Sequence, residues 1–325
     1  MRIFSGIRPT GDLHIGNYSG AINQWLKLQE KADCVFCIVD LHAITTPYQA
    51  KELPENIFDA AITYIAAGLN PEKSIIFVQS QVKEHTELAW LLGTITPIGE
   101  LQRMTQYKEK VKKHPKYLNA GLLNYPILMA ADILLYQADT VPVGKDQQQH
   151  VELTRAIAKK FNNQFGEVFT IPKVMLSKTG AKIMSLQNPK KKMSKTDDPK
   201  SCIGLFDEPK MIEKKIASAV TDTGKKIIYS PQKKSGVSNL LAIYSLFSEE
   251  PIKDLERKFK GKGYAQLKKS LTQLLIKSLT PLRQKRKELT LRKVYVKEIL
   301  ERGRKKAHLI ARSTVQEVKE KMGLV

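Results

Sequence analysis

Short apolar runs of strand character alternate with amphipathic helical segments through the first half of the chain, and this alternation most limits the possible fold. Residues 3–7, 34–39, 74–79 and 141–143 read as strands, and 16–31, 54–67, 84–92 and 146–161 as helices. The second helix has Pro54 in its first turn and Gly68 as its C-cap, each where the backbone favours it. Buried strands joined through helices demand right-handed crossovers, so the expected fold is α/β, a Rossmann-like doubly wound parallel sheet. Such sheets hold ligands beyond the carboxyl ends of their strands. His14, Asp40, His42, Gln79 and Gly144 all follow strands and are expected to converge on one crevice.

Beyond residue 195 the character changes. Residues 209–220, 237–247, 251–259, 264–279 and 290–322 read as Lys-rich helices. The expected division is a catalytic unit over 1–200 and a C-terminal all-helical unit over 201–325. The last helix belongs either to the helical unit or back on the first. A length of 325 residues suits about two domains.

Charge points to a partner. Lys and Arg number 54 against 32 Asp and Glu, a net charge of +22. That excess fits a polyanion, although a lysine-rich proteome would produce it too. It is dense at 283–287 and 302–306. The cysteines are Cys34, Cys37 and Cys202, an odd, low count that suits a reducing compartment. Cys34 and Cys37 are three apart on a strand, so they face opposite sides and share no metal; no metal site is expected. The start lacks a long apolar stretch and no run approaches a membrane span, so the protein is expected to be soluble and cytoplasmic.

Four segments carry chemistry. The run 5–17 places Gly6 and Gly11 in a tight turn off the first strand, and Gly16 at a helix start whose amides favour anions. His14 lies between them, able to donate to phosphate oxygens. The loop 189–196 holds Lys192 and Lys195 three apart between Pro189 and Pro199, a pairing that can clamp a triphosphate. If 125–136 is helical, Tyr125, Met129, Asp132 and Tyr136 share a face. An indole suits that face: Tyr125 and Met129 for its flat surface, Asp132 for its N–H. In 141–155, a strand, Gly144, Asp146 and Gln147 form a plausible site for ribose and ammonium groups. Each segment alone also reads as a solvated turn, a buried ion pair or a capped helix.

In combination and order the segments resemble class I aminoacyl-tRNA synthetases, and most specifically the bacterial tryptophanyl-tRNA synthetase family. The resemblance rests on 12–17, 39–45, 129–134, 144–147, 182–186 and 192–196, and spans nearly the whole chain. It implies a Rossmann catalytic unit, a helical anticodon-binding unit, a homodimer, ATP and Mg2+. The implied reaction joins L-tryptophan to ATP as an adenylate and passes it to the terminal 2′-hydroxyl of tRNA(Trp). By resemblance, His14, Lys110, Lys192 and Lys195 are catalytic. Arg8, Gly16, Asn17, Gly144, Asp146, Met193 and Ser194 bind ATP. Phe4, His42, Tyr125, Met129, Asp132, Val141, Val143 and Gln147 form the tryptophan pocket. Arg8 departs from the glutamine common in the family. A tyrosyl-tRNA synthetase, a small nucleotidylyltransferase and a catalytically silent RNA-binding paralogue compete with this reading.

Overall fold

The computed structural model describes residues 1–9, 13–113, 117–176, 183–194 and 198–324, with the main chain alone at 110 and 113. Strands β1 (Arg2–Ile7), β2 (Asp33–Ile38), β3 (Ser74–Val78), β4 (Thr140–Val143) and β5 (Lys173–Leu176) form one parallel sheet in the order β3-β2-β1-β4-β5. Chain order therefore reverses between β1 and β4, where a crevice must open because successive crossovers leave in opposite directions. The first four strands match the expected ones. β5 went unread because it is a short, half-exposed strand at the sheet edge with a lysine at its start.

Between strands run α1 (Ile15–Asn17) and α2 (Asn23–Leu28), then α3 (Asp40–Ala43), α4 (Leu53–Ala66), α5 (Glu84–Gly93), α6 (Ile98–Arg103), α7 (Thr105–Lys113), α8 (Ala120–Leu134) and α9 (Gln148–Phe165). A π-helical turn over Tyr18–Ile22 joins α1 to α2. Gly68 ends α4 at φ +117°, a conformation that glycine adopts without strain. Each sheet face carries its own core. Cys34 lies in one with Ile3 and Phe36, and Cys37 in the other with Phe4 and Phe77, as strand alternation requires.

The remaining helices are α10 (Pro209–Ala217), α11 (Ser235–Ser248), α12 (Ile252–Lys258), α13 (Tyr264–Leu291) and α14 (Lys293–Met322). α13 runs a full 28 residues through Pro281, past the expected end at 279. A long helix packed against neighbours tolerates the proline within it. α14 returns to the sheet. Its Gly303 faces the main chain of Ile76 in β3, where an added Cβ would overlap the carbonyl oxygen. His308 pairs with Glu84 at 3.0 Å and Lys319 with Glu87 at 3.1 Å, fastening α14 to α5.

Candidate active site

At the reversal between β1 and β4 lies a cavity of about 470 Å³. The end of β1 supplies Phe4, Ser5, Gly6 and Arg8, and β4 with its following turn supplies Val141, Val143, Gly144, Asp146 and Gln147. His42 of α3 and Tyr125, Met129 and Asp132 of α8 complete the wall. Every residue expected to form the amino-acid pocket thus faces one space. Tyr125, Met129 and Asp132 reach it together because helical spacing stacks them on one face. Tyr136, expected on that face, lies beyond the helix end. It is fully buried and stacked on Phe4 at 5.6 Å, supporting the wall from behind.

Asp132 is buried yet accepts three hydrogen bonds. His42 Nε2 lies 2.8 Å from Oδ2, while Gln79 Nε2 and His85 Nδ1 each lie 2.6 Å from Oδ1. Burial alone would raise its carboxyl pKa; the bonds from His42 and His85, and the attraction of both rings, outweigh burial and hold it well below the usual range. The group is an ionised acceptor in a wall otherwise made of Phe4, Met129, Val141 and Val143. Tyr125 donates to or accepts from His150 Nε2 at 2.8 Å, and its ring meets His42 edge-on. Burial pushes its phenol up to about 12, with Arg8 pulling the other way and Glu109 adding to the rise.

The two segments expected to bind phosphate meet each other. His14 caps α1: its Nδ1 accepts from Gly16 N at 3.1 Å, and Asn17 Oδ1 accepts from His14 N at 3.0 Å. An Nδ1 occupied as acceptor puts the ring proton on Nε2, the tautomer that donates. Strand-like bridges pair His14 with Gly204 and Met184 with Lys192. Met193 is buried in the core, and its Cβ lies 3.7 Å from where a Cβ on Gly16 would sit. The methionine side chain is therefore an anchor that sets Lys192, exposed, and Ser194, half-buried, beside the first segment. Lys195 lies outside the described residues, as does the side chain of Lys110. α7, which carries Lys110, places Gln106 one turn earlier on the cavity wall.

At the cavity mouth Gln147 Nε2 donates to Asp146 Oδ2 at 2.9 Å, and Gly144 leaves room for that carboxylate. Two participants escaped the sequence reading. His85 lies at the start of α5 after the β3 turn, and Gln106 sits on the helix from which only Lys110 was singled out. The position of His85 after a strand was a usable signal, because it shares that placement with Gln79.

The family model of tRNA synthetases class I (W and Y) matches residues 1–280, and the chain belongs to that family. Along its whole length it is 51% identical to a tryptophan–tRNA ligase of Caldanaerobacter subterraneus subsp. tengcongensis, covering 100% of this chain and 98% of that one. A tryptophan–tRNA ligase of Oceanobacillus iheyensis is 50% identical over 323 residues, with 99% and 98% covered. The crystal structure of the Campylobacter jejuni tryptophanyl-tRNA synthetase complexed with ADP and tryptophan superposes with a TM-score of 0.87, at 40% identity and complete coverage of both chains.

Proposed function

We propose that the chain is a tryptophan–tRNA ligase that activates L-tryptophan with ATP and transfers it to tRNA(Trp). The observation that carries this reading is Asp132, an ionised carboxylate in an apolar and aromatic wall at the sheet's reversal point. A ring N–H is the group such an acceptor selects, and Phe4, Met129, Val141 and Val143 suit the ring's faces. Gln147, which lines the same cavity, is the group assigned to the substrate ammonium.

The substrate carboxylate is already ionised at neutral pH, so its in-line attack on the α-phosphorus needs no general base. One bond forms from carboxylate oxygen to phosphorus as the bond to pyrophosphate breaks. Acceleration then comes from positioning and from charge at the phosphates. His14, donating through Nε2, and Lys110, Lys192 and Lys195 fill that role. Arg8, Gly16, Asn17, Gly144, Asp146, Met193 and Ser194 shape the nucleotide site. Mg2+ would enter with ATP and neutralise phosphate charge. Asp132 already accepts three bonds and Asp146 accepts from Gln147, so the donors that suit the ion are the phosphates themselves.

A basic cavity of about 1120 Å³ in the helical part supports a nucleic-acid partner. Lys225, Lys226, Lys253, Arg257, Lys260 and Lys262 line it with Tyr264, while the carboxylate of Glu256 accepts from Tyr229 N. A homodimer is supported by an apolar groove of about 710 Å³ bordered by Trp90 and Ile98, which are 76% and 64% exposed. No described helix is long and apolar enough to cross a membrane. Cys34, Cys37 and Cys202 are buried and in no disulfide, which suits the cytoplasm.

Amino-acid-dependent ATP–pyrophosphate exchange with tryptophan, tyrosine and phenylalanine in parallel tests the reading. Exchange with tryptophan alone supports it. Exchange with tyrosine transfers the assignment to the sister enzyme, and tRNA binding without any exchange favours a silent paralogue.

A further inference from the structure

The two oxygens of Asp132 are not equivalent. Oδ1 receives both Gln79 and His85, neither of which borders the cavity, whereas Oδ2 receives His42, which does. A carboxylate offers about four acceptor directions, so the remaining one lies on Oδ2, on the cavity side. We propose that His85 is a positioning residue for substrate selection, pinning Oδ1 toward the core so that Oδ2 presents its remaining lone pair to an N–H in the plane of the substrate ring. The assignment rests on the chain being a tryptophan–tRNA ligase.

The hydrogen-bond chain behind Asp132 supports the role. An ionised Asp132 only accepts, so His85 Nδ1 carries the proton. Its Nε2 is hydrogen-bonded to Tyr136 OH at 2.8 Å, and the Tyr136 ring stacks on Phe4 in the cavity wall. The chain thus runs from the cavity wall through Tyr136 and His85 to the far oxygen of Asp132. His85 is fully buried, so it never meets substrate and acts through Asp132. Both ends of the chain are fastened by α14. His308 holds Glu84, the residue before His85, and Thr314 Oγ1 donates to the carbonyl of Leu135, the residue before Tyr136.

The test is pyrophosphate exchange by His85→Leu and His85→Asn, with tryptophan and with the analogue whose ring N–H is replaced by sulfur. A lost bond to a charged group predicts a KM for tryptophan raised roughly tenfold in His85→Leu, with kcat and the KM for ATP held within about threefold. Preference for tryptophan over the sulfur analogue should fall by the same factor. His85→Asn should recover most of both, because its amide N–H stands in for Nδ1–H. Wild-type preference in a folded His85→Leu, or equal losses for tryptophan and ATP without rescue by asparagine, overturns the proposal. If His85→Leu does not fold, Tyr136→Phe decides: a smaller shift in the same direction supports the role, and an unchanged preference overturns it. Wild-type enzyme that fails to exchange with tryptophan defeats the functional reading itself, a result distinct from either.

Discussion

Thr314 Oγ1 donates to the main-chain carbonyl of Leu135 at 2.8 Å although 179 residues separate them. The bond ties the last helix to the end of α8, the helix that carries Asp132. Thr314→Val keeps the shape and removes the donor, so it should cost about 1–2 kcal/mol. Gly303→Ala should cost about 3 kcal/mol, because its methyl would overlap the Ile76 carbonyl and push α14 off β3. Urea midpoints measure both. A Gly303→Ala midpoint equal to wild type would contradict this docking.

Asp132 gives stability a sign with pH. Its folded carboxyl is held below the unfolded value of about 3.9, so its contribution is complete above that value and fades as pH falls below it. Asp132→Asn should therefore be destabilised at pH 7, and the gap to wild type should narrow at about pH 3. The variant should also lose at least about tenfold in kcat/KM for tryptophan while its KM for ATP stays put. A gap that is constant with pH would mean Asp132 is not a charged acceptor.

Lys195→Ala should slow adenylate formation by about 2.7–4 kcal/mol of transition-state stabilisation and leave the tryptophan KM nearly unchanged. Single-turnover kinetics separates the two. Equal losses in both would assign the lysine to ground-state binding.

Substituting Lys226, Lys253 and Lys260 together by alanine should weaken tRNA binding and reduce the slope of log K against log salt by about two. Pyrophosphate exchange should be unaffected, since these residues line a cavity in the helical part. Unchanged tRNA affinity would remove this cavity from the interface.

Trp90→Glu should convert a dimer to a monomer in sedimentation analysis, because it places a charge in the apolar groove. A wild-type protein that sediments as a monomer would dismiss the groove as the dimer surface.

Charge clusters show the limit of reading composition. The runs 283–287 and 302–306 stood out as dense positive charge that a solvated face or a polyanion would equally explain. Folded, Arg286 pairs with Asp59 at 2.7 Å, Arg283 donates to the Asp207 carbonyl, and Arg304 pairs with Glu301. Arg302 pairs with Glu72 in the same way. Much of that charge is spent within the chain. The basic cavity gathers lysines from 225–226, 253 and 260–262, which are too scattered to stand out as a run. The His85–Tyr136 link was hidden for a similar reason, since no spacing rule connects residues 51 apart, one in α5 and one past the end of α8.

Local pattern alone made legible the first four strands, the helix start at Gly16 and the shared face of Tyr125, Met129 and Asp132. Each depends on neighbours within a few residues, where backbone geometry sets the outcome. Tertiary structure decided that α14 returns to the sheet, that Met193 anchors the segment of Lys192 beside that of His14, and that His85, Gln79 and His42 share one carboxylate. Those arrangements follow from which buried surfaces and polar groups meet in the packed core, and a buried charge settles only where every donor around it is in place.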